Sequence, residues 1–501
     1  MSVVVTERSI MNRKLLYTGV AIVSAVFIST PPAYSVERSE LAELKQMLAE
    51  MRNEYESRIS ALENRIKRAE SKVIDTENRL KMTKHISNGI GQFSDSKRPQ
   101  MEPQVKSSTQ SRDNLFNPAI SFILQGSGVR YSRDQETWHL PGFQTGGEAG
   151  LKEEGLSLTE TELKASVNVD DWFYGEAMVG LHEHEGDTEV HLEEAFLDTL
   201  NLPLGVGLRF GRFFTKTGYL NTQHSHEWDF SDAPLTSQAF LGKQYYDDGL
   251  RLSWLAPTDT FLEFGMEALR GREFPANGNH DRWVGGAKNY FMQVGNDIGS
   301  EHSFLFGLSH LRTEPDDRGS NDHGHSDGEQ HGTFQFSGDS DLTVANLIWK
   351  WAPDGNPEER NFIFQTEYFY RDEDGALQFN HNTDSASLFY DGTQEGFYTQ
   401  GIYQFLPGWR VGLRYDRLWT DNTLRIIENN SDEEDEELLE ESGLSDEHDP
   451  YRWTLMADYS HSEFSRLRLQ YTNDYSRSGD SDDQFHLQYI MSLGSHPAHE
   501  Y

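Results

Sequence analysis

The chain has no cysteine among its 501 residues, and after the N-terminus it has no long apolar run. The first absence excludes disulfide scaffolds and thiolate metal sites. The second excludes a membrane-spanning helix in the mature chain, which needs about 20 apolar residues in a row. Basic residues are also scarce, since 44 Lys and Arg stand against 82 Asp and Glu for a formal charge of −38. Such a charge argues against nucleic acid as a partner and favours cations.

The N-terminus has the pattern of an export signal. Three basic residues precede an apolar run over 15–28, and Ala33-Tyr34-Ser35 offers a small-residue cleavage site. We therefore predict that residues 1–35 are a secretory signal peptide. A membrane anchor is the alternative, although the run is short and ends at Pro31-Pro32.

Residues 36–80 carry apolar side chains at steps of three and four residues, apart from one four–four step and polar Thr76. The positions are Leu41, Leu44, Leu48, Met51, Tyr55, Ile59, Leu62, Ile66, Ala69, Val73 and Leu80. With flanking Glu, Lys and Arg, this spacing predicts a periplasmic coiled coil about 60 Å long. We predict that it joins the chain into a homo-oligomer, a trimer, although the spacing does not fix the number of chains. A single helix folded back on the protein is the alternative. Residues 81–115, rich in Ser, Gln, Pro and Lys, predict a flexible linker.

From residue 116 onward, short segments alternate apolar and polar side chains. Arg466, Arg468 and Gln470 alternate with Leu467, Leu469 and Tyr471, and similar patterns recur elsewhere. A period of two places each set on one face of a strand. Sixteen segments fit: 118–131, 156–169, 172–184, 189–200, 206–215, 249–257, 260–271, 288–298, 302–314, 341–353, 360–372, 395–406, 409–420, 451–461, 465–476 and 483–494.

The connections between these segments alternate in length. Short turns such as Leu406-Pro407-Gly408 alternate with long polar loops, which include 216–248, 315–340 and 421–450. Short periplasmic turns and long outer loops are typical of outer-membrane barrels. We predict a mainly β protein, in which residues 116–501 form a single transmembrane antiparallel β-barrel of about 16 strands with an aqueous lumen. Two or three soluble β-sandwich domains are the alternative.

Three segments and the chain end add a family resemblance. They are Gly211-Arg212-Phe213-Phe214, Trp228-Asp229-Phe230, residues 489–494 and the terminal aromatic Tyr501. The signal peptide, the coil and a barrel of about sixteen strands that ends in Tyr501 resemble Gram-negative outer-membrane porins with an N-terminal periplasmic coiled coil, a group that includes phosphate-selective porins. The three segments are similar to a poorly characterised porin-like branch of marine and related proteobacteria with metal-linked or receptor-like members. The resemblance implies a channel but names no solute. Acidic loops depart from the basic constriction of a phosphate channel, so anion selectivity is not carried over.

Histidines cluster with carboxylates near three predicted loop ends, all on the long-loop, extracellular side. The candidate metal ligands are His182, His184, His224, His226, His323, His325, His331, Asp322, Asp327 and Glu329. Imidazole and carboxylate groups suit Zn²⁺, Cu²⁺ or Ni²⁺. We predict no required cofactor, but capture of Zn²⁺ or another divalent cation by these extracellular loops. Ordinary solvated loops are the alternative, and the acidic run 432–437 is likewise predicted to be a disordered, solvated loop.

The predicted inward faces of the strands carry charges of both signs. The predicted pore lining is Arg209, Arg251, Glu263, Glu267, Arg410, Arg414, Asp416, Arg452, Arg466 and Arg468, with Lys164, Glu162, Glu176 and Asp458 as further inward charges. Opposed rows of charge would set a transverse field in a constriction. Paired charges that only fill the wall are the alternative.

The sequence contains no Gly-x-Ser-x-Gly, His-Glu-x-x-His or phosphate-cradling motif, so we predict that the protein is not an enzyme. The predicted function is a porin for passive diffusion of small solutes, with cation preference and divalent-metal uptake such as zinc. Its predicted partners are the outer membrane and its lipopolysaccharide. A receptor-type, TonB-dependent-like transporter is one alternative, but only the coil and linker precede the barrel to supply its plug. A non-transport surface or envelope-tethering protein is the other.

Overall fold

The alternating segments of the sequence form β-strands. The computed structural model describes residues 118–184, 187–278, 283–319, 333–381, 384–431, 434–479 and 481–494. The predicted signal peptide, coiled coil and linker lie outside the described residues and stay predictions.

Seventeen strands occur among the described residues. They are β1 (Ala119–Arg130), β2 (Gly155–Asn168), β3 (Phe173–His184), β4 (Asp187–Thr199), β5 (Val206–Phe214), β6 (Tyr246–Leu255), β7 (Phe261–Leu269), β8 (Ala287–Ile298), β9 (His302–Thr313), β10 (Arg318–Gly319), β11 (Thr333–Trp351), β12 (Asn361–His381), β13 (Asp384–Leu406), β14 (Trp409–Asn429), β15 (Tyr451–Ser462), β16 (Ser465–Tyr475) and β17 (Asp482–Gly494). Two short α-helices, α1 (Leu235–Leu241) and α2 (Asp435–Glu441), lie in the connections, with 3-10 turns at Gln135–Thr137, Pro203–Gly205, Leu220–Thr222, Ser225–Glu227 and Pro353–Gly355. Among the described residues, no helix combines the length and apolar character needed to span a bilayer.

Sixteen of these strands close into an antiparallel barrel. Each pairs with its neighbours in the chain, and β17 pairs back with β1, with Ser121 opposite Gly494 and Arg130 opposite Phe485. The two-residue β10 pairs with β11 at the rim, while β9 pairs directly with β11 along its length. The predicted fold class and its sixteen strands are therefore confirmed. Because the strand number is even, β1 begins and β17 ends on the same side of the barrel.

The two faces of the wall have opposite character. On β16, Leu467 and Leu469 are 45% and 59% exposed, whereas Arg468 and Gln470 are 1% and 4% exposed. Large exposed Leu, Phe, Tyr and Trp side chains recur around the outside of the barrel, and the buried inner face is rich in charged and amide groups. An apolar band outside and a polar inside is the inverse of a soluble β-sandwich.

Strands β11 to β14 rise above the rest of the wall. They have 19, 21, 23 and 21 residues, so parts of the predicted loops 315–340 and 421–450 are strand. The predicted strand 360–372 ends at Asp372, but β12 continues beyond it because both of its neighbours keep pairing with it. The part of β11–β14 that extends beyond the other strands buries a hydrophobic cluster, which includes Phe336, Phe379 and Leu388.

The acidic run near residue 432 is ordered in its described part, which corrects the prediction of a disordered loop. Residues Asp435–Glu441 form α2, and Leu438 is fully buried in the apolar cluster of the raised strands. Carboxylates in the first turn of a helix interact favourably with its dipole, which offsets part of their mutual repulsion. The buried leucine anchors the helix.

The connection from β5 to β6, residues 215–245, folds into the barrel, and we call it the luminal loop. It contains α1, all seven residues of which are buried. Phe240 of α1 stacks on Phe369 of the wall at 5.4 Å and meets Phe143 of the 131–154 connection edge-on at 5.6 Å. The predicted aqueous lumen is thus partly filled by an apolar core.

Candidate functional site

The luminal loop is held by carboxylates on the barrel wall. Glu367 on β12 accepts hydrogen bonds from the backbone amides of Tyr219 and Leu220, both at 2.8 Å. Asp416 on β14 accepts one from the amide of Leu235 at 3.0 Å. Hydrogen bonds to buried charged groups are stronger than neutral ones. The loop is therefore fixed to the wall at two separate points, near its start and at the beginning of α1.

A glycine permits the close approach at the start of the loop. Gly218 has a φ of 84°, and a Cβ at this position would lie 2.7 Å from Oε2 of Glu367. Its amide donates a hydrogen bond to Oγ of Ser309 on β9 at 3.1 Å. A larger residue would be strained in this conformation and would collide with the carboxylate that holds the loop.

One side of the loop faces a group of arginines on β14 and β15. Arg410 pairs with Asp229 of the loop at 2.7 Å. Arg414 and Arg452 both pair with Asp232 of the loop at 3.0 Å. Burial alone would raise the pKa of Asp232, but the two arginines lower it below its usual range. The two aspartates of the loop offset part of the positive charge on this part of the wall.

The ten residues of the predicted pore lining all lie on the inner side of the wall. Arg410, Arg414, Asp416 and Arg452 are described above. Three more of the ten form ion pairs: Arg209 with Asp198 at 2.8 Å, Arg251 with Glu267 (also one of the ten) at 2.5 Å, and Glu263 with Lys216 at 2.6 Å. Arg468 donates a hydrogen bond to the carbonyl of Trp228 at 2.8 Å, and Arg466 borders a cavity. Several of these side chains anchor the luminal loop. That they border a conducting path stays a prediction.

The other side of the loop carries two histidines that face glutamates. His224 Nε2 lies 3.1 Å from Oε2 of Glu194 on β4, and His226 Nδ1 lies 2.8 Å from Oε1 of Glu162 on β2. The two imidazole rings stack at 5.7 Å with an angle of 12° between them. Burial alone would lower the pKa of His224, but Glu193 and Glu194 raise it well above its usual value.

A β-bulge supplies two adjacent glutamates to this group. Met178 on β3 pairs with Glu194 while Val179 pairs with Leu192, so Glu193 is the extra residue of β4. A bulge shifts the alternation of a strand, and here both Glu193 and Glu194 are buried. Sequence reasoning missed both residues because it assumed unbroken alternation. The two adjacent acids within an alternating strand were the available signal.

Three donor groups of this cluster converge. One ligand atom each from Glu162, Glu193 and His224 lies within 4.8 Å of the other two, and all three side chains are buried. In the part of the chain that the structure describes, Oε2 of Glu162 and Nδ1 of His224 have no hydrogen-bond partner. We call Glu160, Glu162, Glu193, Glu194, His224 and His226 the Glu–His cluster.

Two cavities flank the Glu–His cluster. The cavity on the long-loop side measures about 150 Å³ and is lined by Lys152, Glu160 and Ser225, among others. The cavity on the short-turn side measures about 560 Å³, and its lining includes His226 and Arg466. Ser225 Oγ donates a hydrogen bond to Glu160. Ser225 and His226, which are neighbours in the loop, thus line different cavities, and the Glu–His cluster lies between these two cavities.

The structure changes the expected location of one predicted metal site. His224 and His226 were predicted on the extracellular side, but they lie inside the barrel because the luminal loop folds inward. Glu227, their neighbour in the sequence, is not part of the cluster of donor atoms, which comes from β2 and β4 instead. The other predicted metal ligands lie outside what the structure describes. They are the side chains of His182 and His184 and the residues Asp322, His323, His325, Asp327, Glu329 and His331.

No known family model matches the chain. The chain is 30% identical over 415 residues to an uncharacterised protein of Aquifex aeolicus, an alignment that covers 77% of this chain and 80% of its relative. The chain belongs to the same family as this Aquifex protein.

The fold is also similar to several solved outer-membrane proteins. OmpF of Salmonella typhi in complex with daunomycin is 12% identical with a TM-score of 0.44, and the channel DcaP of Acinetobacter baumannii is 11% identical with a TM-score of 0.43. In both cases the alignment covers 75% of this chain and 97% of the other. An anion-selective porin from Comamonas acidovorans is 10% identical with a TM-score of 0.43, over 75% and 99% of the chains. The fold assignment rests on the strand order and register described above.

Proposed function

We propose that the protein is a porin of the bacterial outer membrane, through which small solutes diffuse passively. The observation that carries this proposal is the closed sixteen-strand barrel with apolar side chains outside and charged side chains inside. A closed barrel satisfies all backbone hydrogen bonds within its wall, as a bilayer requires. In this role the protein is a channel and not an enzyme.

The luminal loop forms the constriction of the proposed channel. It separates the 560 Å³ cavity on the short-turn side from the smaller cavity on the long-loop side. The apolar core around Phe240 fills another part of the same cross-section. Only the polar side of the loop remains for solutes, which favours ions and other small polar molecules.

The charge distribution favours cations. The Glu–His cluster brings four glutamates to the polar side of the loop, between the two cavities. Arg410 lines the short-turn cavity, but its charge is paired with Asp229, and Arg414 and Arg452 are paired with Asp232. A formal charge of −38 also raises the local concentration of cations at the channel mouth.

We also propose that the channel takes up divalent metal ions. Segment 321–331 is rich in His, Asp and Glu, and we propose that it captures Zn²⁺ or a similar ion outside the cell. Weak capture suits transport, because an ion must also leave the site.

Planar-bilayer recording tests the proposed function. We expect steady ohmic current steps in symmetric KCl, and in a KCl gradient a reversal potential of the sign set by K⁺. Steps with the opposite sign would contradict the cation preference. A protein that is folded but never produces steps would contradict the channel itself.

A receptor-type transporter is the second candidate, because the barrel interior is more filled than that of an open pore. The luminal loop and its apolar core occupy the place that a separate plug domain would take. This candidate predicts electrical silence until a ligand or an energising partner displaces the loop.

The proposed assembly is a homotrimer held by the coiled coil at residues 36–80, with lipopolysaccharide around the outer rim. Deletion of residues 37–80 should leave a folded barrel, since the wall closes its own hydrogen bonds. The oligomer should then dissociate more readily in detergent. Loss of the folded barrel would show that residues 37–80 belong to its core.

A further inference from the structure

We propose that Glu162, Glu193 and His224 bind a divalent transition-metal ion inside the barrel, with Zn²⁺ as the reference ion. Their ligand atoms already lie within 4.8 Å of one another. A tetrahedral zinc site with bonds of about 2.0–2.1 Å places its ligand atoms about 3.4 Å apart. Small side-chain rotations therefore close the site without movement of the strands.

The hydrogen bonds of His224 prepare it as a ligand. Its Nε2 lies 3.1 Å from Oε2 of Glu194, and because an ionised carboxylate only accepts, Nε2 is the donor. This leaves Nδ1, which has no hydrogen-bond partner, directed toward Glu193 at 3.6 Å. A carboxylate that orients the far nitrogen of a ligating histidine is a common feature of metal sites.

Glu162 is prepared in the same way. Its Oε1 accepts a hydrogen bond from Nδ1 of His226 at 2.8 Å, whereas its Oε2 has no hydrogen-bond partner among the described residues. Glu162 is fully buried. A buried carboxylate oxygen without a partner is costly unless a proton or an ion satisfies it. A metal bound between Glu162 and His224 would coordinate both atoms that lack a hydrogen bond.

The charge and the donor atoms of the Glu–His cluster favour a divalent transition-metal ion. Four glutamates lie in the Glu–His cluster, so a dication reduces the mutual repulsion of their carboxylates. An imidazole nitrogen among carboxylate oxygens suits Zn²⁺, Cu²⁺ or Ni²⁺, whereas Ca²⁺ and Mg²⁺ prefer ligands that are all oxygen.

A cavity approaches the buried site on either side. Glu160 and Ser225 line the long-loop cavity, and His226 lines the short-turn cavity. The site thus lies between the two cavities on the polar side of the luminal loop. Only this placement of the site on a solute route rests on the proposed function, whereas the site itself rests on the geometry of its ligands.

Zinc binding to the full-length protein in detergent tests the proposal. In the parent protein for the test, the other predicted ligands His182, His184, His323, His325 and His331 are replaced by Ala, so that they do not contribute. We expect isothermal titration calorimetry to show a zinc ion bound per chain. Glu162→Gln and His224→Gln should each weaken binding more than about a hundredfold, because even loss of an outer partner costs ten- to a hundredfold.

His310→Gln is the matched control. His310 on β9 also pairs with a carboxylate, Asp341 at 3.3 Å, but it is exposed and remote from the cluster in sequence. This variant should bind zinc as the parent protein does. Equal binding by His224→Gln and His310→Gln would overturn the proposal, as would a parent protein that binds no zinc.

X-ray absorption of the zinc-loaded parent protein gives a second readout that needs no variant of the cluster. A shell dominated by oxygen with a single imidazole is expected, and a shell with several imidazoles or sulfur would overturn the assignment. Both measurements are made without a membrane. A channel that fails to conduct therefore leaves the site intact, and a failed titration leaves the channel proposal intact.

Discussion

The carboxylate of Asp232 lies 3.0 Å from the guanidinium of Arg414, and this ion pair joins the luminal loop to β14. Arg452 on the next strand pairs with the same aspartate at 3.0 Å. Both arginines are fully buried, and Asp232 is the carboxylate of the loop that pairs with them. Through this pairing, Asp232 attaches the loop to two neighbouring strands of the wall.

Replacement of Asp232 should therefore loosen the loop. Asp232→Asn should lower the free energy of unfolding by about 3 kcal/mol, the lower end for breaking a buried ion pair. The lower end applies because Asp416 still pairs with both arginines, at 3.0 and 3.3 Å. Urea unfolding in detergent measures the change. Asp421→Asn, at an exposed position of β14, is the control, and an equal effect in both variants would contradict the assignment.

The same pair predicts a dependence on pH. The arginines lower the pKa of Asp232 below its ordinary value of 3.8, so its stabilisation is fully present above pH 3.8. It is lost as the pH falls through the lower pKa of the folded state. The difference in unfolding free energy between wild type and Asp232→Asn should stay constant from neutral pH down to pH 3.8 and shrink below it. A difference that vanishes already near neutral pH would contradict this reasoning.

The topology predicts which residues are accessible from outside the cell. Glu436 is exposed on α2 in a long connection, and Asp259 is exposed in a short turn on the opposite side. An impermeant maleimide on intact cells should label Glu436→Cys and not Asp259→Cys. Labelling after cell lysis controls for reactivity. The reverse pattern on intact cells would invert the orientation of the barrel.

Leu438 should decide whether the acidic helix stays folded. Leu438→Ala removes a fully buried side chain, which typically costs about 2–5 kcal/mol. Helix α2 should then detach, and a glutamate-specific protease should cut it faster. Leu439→Ala is the matched control because Leu439 is only partly buried. Equal cleavage of both variants would show that the helix is not anchored by Leu438.

The wall of the barrel was predictable from the sequence because a period of two directly encodes its two faces. Leu467 and Arg468 illustrate this, since neighbouring residues lie on opposite faces as predicted. The unusual length of strands β11–β14 was not predictable in the same way. Their upper halves carry acidic residues and glycine, and only pairing with long neighbours keeps them in strand conformation.

The candidate site was predictable only in part. The histidines His224 and His226 stood out by residue type, and the location of Glu162 followed from alternation. Their meeting depends on a long loop that folds back into the barrel, which no local pattern encodes. The contribution of Glu193 depends on a bulge set by the register against β3. The outer histidine tract at 321–331 stays a prediction.

Single-channel conductance tests most directly whether the luminal loop constricts a diffusion channel. The measurement compares wild type with a variant in which residues 223–241 are replaced by a short Gly-Ser linker. We predict small, steady current steps for wild type and several-fold larger steps for the variant, because the loop and α1 no longer occupy the lumen. Equal conductance, or a folded variant without any current, would contradict the account.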